Sequence, residues 1–115
     1  MFERRKFRRF AVNWPVHFEA HGQEITATLR EISMQGMSLY SPEMLNKNDR
    51  FDLQFIIPRS DGSNGRPATV RVEVLNTQLS KNDQYHVIGG KFVSVDEGDA
   101  KALLDYLTKL GESVI

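Results

Sequence analysis

Phe51-Asp52-Leu53-Gln54-Phe55-Ile56-Ile57 sets the beat for the whole chain. Phe51, Leu53, Phe55 and Ile57 fall on one face of a period of two, with Asp52 and Gln54 on the other, and Pro58 closes the run. That alternation predicts a half-buried strand. The same beat recurs on both sides. Downstream, Ala68 to Leu75 sends Val70, Val72 and Val74 inward while Arg71 and Glu73 go out, and Tyr85 to Val95 reads as the last strand. Upstream, Val12, Trp14, Val16 and Phe18 share a face, Glu24 to Ile32 alternates through Ile25, Ala27 and Leu29, and Gly36 to Tyr40 turns Met37 and Leu39 inward. Pro15 lacks an N–H to give to a ladder, which predicts an edge or a bulge at the first strand.

Between these runs lie turn residues: His21-Gly22-Gln23, Ser41-Pro42, Asn46 to Asp49, and Lys81 to Gln84. Arg59 to Pro67, rich in Ser, Asp, Gly and Asn, reads as an exposed loop, and Gly89-Gly90 as a bulge or a close backbone approach. The period changes after Asp96. Ala100, Leu103, Leu104, Leu107 and Leu110 recur at steps of three and four, Asp96 is placed to cap an N-terminus, and Gly111 falls just past the end. Short strands in succession followed by one amphipathic helix predict an all-β fold, a small antiparallel barrel with a C-terminal helix. A length of 115 residues suits one domain over 1–115, divided into a basic arm (1–11), the barrel (12–95) and the helix (96–111).

Composition narrows the function. With 40% hydrophobic and 26% charged residues the chain is ordinary for a globular protein. It contains no cysteine, which excludes disulfide and thiol chemistry and permits a reducing compartment. The basic start is not followed by the apolar run of a signal peptide, and no stretch of about 18 apolar residues occurs, so the expectation is a cytoplasmic protein without membrane insertion. The formal net charge of zero conceals an asymmetry: Arg4, Arg5, Lys6, Arg8 and Arg9 stand against Glu3 alone, leaving ten cations against fourteen acids for residues 10–115. A short basic arm on an acidic body suits a small localised anion better than a long polyanion, so neither DNA nor RNA is expected as a partner.

Two stretches carry candidate chemistry. The arm spaces Arg5 and Arg9 four apart with Arg4 before them, and Glu31-x-Ser33-x-x-Gly36 lies where one strand ends and the next begins. Together they resemble the PilZ domain, a bacterial module that binds cyclic di-GMP, whose signature is R-x-x-x-R followed by [D/N]-x-S-x-x-G. Val87-Ile88-Gly89-Gly90-Lys91-Phe92 is similar to that family's glycine-phenylalanine strand, and the likeness runs from position 3 to about 110. It implies a six-stranded barrel with a C-terminal helix, a flexible basic N-terminal arm, and a ligand site formed by Arg4, Arg5, Arg9, Glu31, Ser33 and Gly36. One departure stands out: Glu31 occupies the place the family gives to Asp or Asn.

The residue types fit that ligand. A guanidinium fork matches two phosphate oxygens or the O6 and N7 edge of guanine, and its face stacks on a purine. A carboxylate or hydroxyl accepts from the N1–H and N2–H of guanine, so Glu31 and Ser33 fall to that edge, and Gly36 permits close approach. The resemblance implies no enzyme and no cofactor beyond the ligand. It implies a receptor, monomer or weak homodimer, whose arm clamps onto the barrel and changes the surface seen by an unidentified effector protein, with outputs in motility, adhesion, exopolysaccharide or virulence. A second reading keeps the fold and loses the affinity through Glu31, leaving a protein-protein adaptor. No metal-ligand spacing, nucleophile-base pair or phosphate-cradling loop occurs to suggest other chemistry.

Overall fold

In the computed structural model, residues 8–59, 64–80, 82 and 84–112 are described. Alternation dictates what forms. In β4 (Arg50–Ile57) exposed and buried residues alternate without a break, and Phe51, Leu53, Phe55 and Ile57 all lie in the core. The same pattern builds β1 (Phe10–Ala20), β2 (Gln23–Ile32), β3 (Gly36–Ser41), β5 (Arg66–Leu79) and β6 (His86–Val95). All pairings are antiparallel, and the order β1-β2-β3-β6-β5-β4 closes into a barrel.

The core is the interior of that barrel. Leu29, Ile32, Leu39, Leu53, Val16, Val70, Val72, Val74 and Ile88 are fully buried there. Each such side chain contributes roughly 1.5–3 kcal/mol over its exposed state. β1 and β2 are joined by His21 and Gly22, with φ of 53° and 77°. Two positive φ values in succession form the hairpin turn whose twist matches its strands.

Pro15 lies within β1, in register with Thr28 of β2. β1 pairs with β2 along most of its length after a register shift between Ala11 and Trp14, but meets β4 only through His17 opposite Gln54. The barrel therefore closes on a seam with a single ladder pair, along which the two strands nonetheless lie packed side by side.

Three expectations change. The loop predicted over Arg59 to Pro67 is shorter, because β5 already starts at Arg66 and Pro67 pairs with Ile56. β5 also continues to Leu79 past a register shift between Val74 and Asn76, opposite Gly90 and Gly89. The extra residue, Leu75, breaks the alternation that the sequence reading relied on. At the other end, α1 runs Glu97–Glu112, so Gly111 lies within the last turn rather than beyond it.

Asp96 caps α1: its carboxylate accepts from the backbone N–H of Gly98 (3.0 Å) and Asp99 (3.3 Å). Leu103 and Leu107 are buried against the barrel, but Leu104 is 49% exposed and does not belong to the inward stripe. Tyr106 fills that role, edge-on to Trp14 at 5.6 Å between centroids, with Trp14 in turn stacked on Phe55 at 5.9 Å. Arg66 fixes the first turn by pairing with Asp99 at 3.1 Å.

Candidate functional site

The segment between β2 and β3 is a tight loop that Ser33 holds shut. Its N–H donates to the Gly36 carbonyl at 2.9 Å. Its hydroxyl accepts from the N–H groups of Gln35 (3.1 Å) and Gly36 (3.3 Å) and donates to the Gly36 carbonyl (3.4 Å). Ser33 is only 3% exposed. Its side chain is thus engaged by the loop it closes, which is the use serine most often has in a turn.

Gly36 is required by space. It sits opposite Lys91 of β6, and a β-carbon there would collide with the Gly90 carbonyl oxygen. On the far side of the same contact, a β-carbon on Gly90 would lie 2.5 Å from Val72 Cγ1 and 3.0 Å from Met37 Cε. The Gln35 carbonyl accepts from the Phe92 N–H at 2.8 Å, fastening the loop to β6. The two glycine-containing stretches of the sequence are therefore parts of one junction.

Glu31 sits in β2, half-buried, paired with Ala11 of β1 and Ser38 of β3. A register shift between Leu29 and Glu31 breaks the alternation, so Leu29 and Ile32 face the core while Arg30 and Glu31 both stay partly exposed. Among the described residues the Glu31 carboxylate makes no ion pair. Arg9 is exposed and directly precedes β1, whose first residue Phe10 pairs with Ile32. That register brings Arg9 out of the sheet beside Ser33. Arg4 and Arg5 lie outside the described residues.

Further cations outside the predicted ligand set surround this corner and the strands beside it. Lys91, opposite Gly36, approaches Glu73 at 3.5 Å, and Arg50 holds the other oxygen of Glu73 at 2.8 Å. The hydrogen bond from Arg50 keeps the Glu73 carboxyl below its usual range, with Lys91 adding to the effect and desolvation opposing it. Arg30 lies over the ring of Tyr40 at 5.4 Å. Arg8 lies over Phe10 at 5.0 Å, and both approach Gly111 of the last helical turn. No group of three His, Cys, Asp or Glu able to hold a metal ion occurs among the described residues. Nor is any helix among them long and apolar enough to cross a membrane.

A half-buried carboxylate, a serine-locked loop, a glycine pressed on a neighbouring strand and an arginine leaving beside them define one corner of the barrel. The family model for the PilZ domain matches residues 3–109, taking in that corner and the arm before it. The chain belongs to the PilZ domain family.

Solved structures bear out the PilZ fold. The Bacillus subtilis inhibitor of motility MotI/DgrA superposes with a TM-score of 0.82 at 18% identity, over 97% of this chain and 53% of that one. The PilZ domain of YcgR from Escherichia coli, solved with c-di-GMP, gives 0.70 at 12% identity over 97% of this chain and 95% of that domain. The K. pneumonia MrkH-c-di-GMP complex gives 0.74 at 18% identity over 98% and 55%. This PilZ chain thus spans about half the length of MotI/DgrA and MrkH. No curated protein matches it in sequence.

Proposed function

We propose that this PilZ domain is a receptor for cyclic di-GMP, without catalytic activity, that regulates a partner protein through the surface it presents when the dinucleotide is bound. The observation that carries the reading is the register of β1 on β2. Phe10 pairs with Ile32 and Ala11 with Glu31, so the chain at Arg9 leaves the sheet beside Glu31 and the Ser33 loop. Two of the structural neighbours, YcgR and MrkH, are complexes with c-di-GMP, which supports the same ligand here.

In this reading Arg5 and Arg9 grip phosphate or the guanine O6 and N7 edge, and Arg4 reaches a further edge. Glu31 accepts from guanine N1–H and N2–H. Ser33 acts with Gly36 by holding the loop whose backbone faces the ligand. Closing the arm over the dinucleotide alters the charge and shape offered to an effector, a disorder-to-order switch. Motility is the output favoured by the likeness to an inhibitor of motility, with adhesion, exopolysaccharide and virulence as the other outputs of such receptors. A chain without cysteine suits the cytoplasm, as a monomer or weak homodimer.

A second reading is favoured by Glu31 itself. Its carboxylate stands one methylene further from the backbone than the family's Asp, and contacts of this kind are sensitive to displacements of about 1 Å. The chain would then be an adaptor that binds partners with weak or no dinucleotide affinity.

Isothermal titration with cyclic di-GMP, run on the wild type, Arg5→Ala and Glu31→Asp, tests both. Receptor function requires micromolar or tighter binding and a loss of about tenfold or more in Arg5→Ala, as expected for one charge-assisted bond. No heat at high ligand overturns it, and recovery of binding in Glu31→Asp then establishes the adaptor.

A further inference from the structure

Beyond Glu31 the outer face of β2 and β3 carries a second feature that neither signature stretch accounts for. The register shift at Arg30 keeps two successive side chains, Arg30 and Glu31, out of the core. Arg30 spends its outward position on the ring of Tyr40, 5.4 Å from the centroid. Tyr40 in turn meets Tyr85, with ring centroids 6.3 Å apart and planes tilted by 56°. Both rings are open to solvent, at 37% and 47%. Beside them lies a groove of about 560 Å³ whose wall includes Asn13, Thr26, Thr28, Tyr40 and Tyr85. Its volume falls in the range of roughly 300–1,000 Å³ usual for small-molecule sites.

The groove is built to hold its shape. Ser80 and Tyr85 are tied twice, by the Ser80 N–H to the Tyr85 carbonyl (2.8 Å) and by the Tyr85 N–H to the Ser80 hydroxyl (3.2 Å). Thr28 pairs with Tyr40 across β2 and β3, so the floor under the first ring is a continuous ladder. Among the described residues, no acid, lysine, arginine or histidine lines the groove. Flat aromatic faces flanked by neutral amides and hydroxyls suit a flat, uncharged heterocycle, which stacks on the rings and hydrogen-bonds by its edge. Arg30 does not line the groove itself but lies over the ring of Tyr40 and directly precedes Glu31 in β2.

We infer that Tyr40, Tyr85 and Arg30 form a purine-base platform, a subsite that stacks a base of the bound dinucleotide or of a second nucleotide. The inference rests on the receptor reading for the dinucleotide, and its test separates the two. Wild type, Arg5→Ala, Arg30→Gln, Tyr40→Leu and Tyr85→Leu are titrated with cyclic di-GMP, and the tyrosine ring resonances are followed by NMR during titration with cyclic di-GMP and with GMP.

A base on the platform shifts the Tyr40 and Tyr85 ring signals upfield, and Tyr40→Leu and Tyr85→Leu each lower affinity by about fivefold or more. Shifts with GMP as well identify a site for a free nucleotide; shifts with the cyclic dinucleotide alone identify a base of that ligand. If the wild type binds, Arg5→Ala fails and the three platform variants bind like the wild type with unmoved ring signals, the platform is wrong and the receptor reading stands. If the wild type ignores cyclic di-GMP, the receptor reading falls, and ring shifts with GMP sustain the platform while their absence overturns it.

Discussion

Gly36 and the carbonyl of Gly90 are pressed together across β3 and β6 with no room for a methyl group between them. The obstruction is backbone, which cannot swing aside as a flexible side chain would. Gly36→Ala should therefore separate the strands at the corner where the loop meets β6, at a cost of about 1–3 kcal/mol for overpacking. Urea unfolding should report it as a lower midpoint with an unchanged slope.

Removing the Ser33 hydroxyl tests whether the loop depends on it. Ser33→Ala leaves the N–H groups of Gln35 and Gly36 without that acceptor in a nearly buried loop. A destabilisation of about 1–3 kcal/mol is expected from such orphaned donors. A serine that met only ligand would leave the melting temperature unmoved.

The leucines of α1 should divide by face. Leu107→Ala empties a buried position and is expected to cost about 2–5 kcal/mol. Leu104→Ala, at an exposed position, should stay within about 0.5 kcal/mol. Chemical denaturation of the pair checks the assignment, and equal losses would show that the helix packs differently.

Glu73 gives the barrel an acid dependence. The Arg50 hydrogen bond holds its folded pKa below the unfolded value, so the stabilisation is complete above the unfolded pKa and is lost as pH falls through the folded one. The stability difference between wild type and Glu73→Gln should be flat near neutrality and shrink as the solution is acidified below the usual carboxylate range. Since Arg50 is about half exposed, added salt should shrink it too.

The barrel was legible because a period of two is written plainly into β4, the first half of β5 and the early part of β2, where one face is core and the other solvent. It faded where geometry departs from that period. Leu75 sits at a register shift that hides the continuation of β5 from a reading by alternation, and the shift at Arg30, which leaves the extent of β2 as expected, hides that two successive side chains stay out of the core. Gly111 followed a rule for helix ends that the helix did not need. Of the ligand corner, the sequence carried the residue types and their order. It did not carry the burial of Ser33, the contact of Lys91 with Gly36, or the stacking of Arg30 on Tyr40, all of which arise from strands distant in sequence meeting side by side.

The seam between β1 and β4 gives the barrel a preferred way to breathe. Five of its six ladders are long, and the sixth is the single pair His17 and Gln54. The molecule is in effect a curled six-stranded sheet whose two outer strands lie packed side by side but share one ladder pair, and parting them exposes two strand edges while leaving every other ladder whole. Amide hydrogens lying along this slit should exchange with solvent well before those of β2, β3 and β6, in the manner of a local opening.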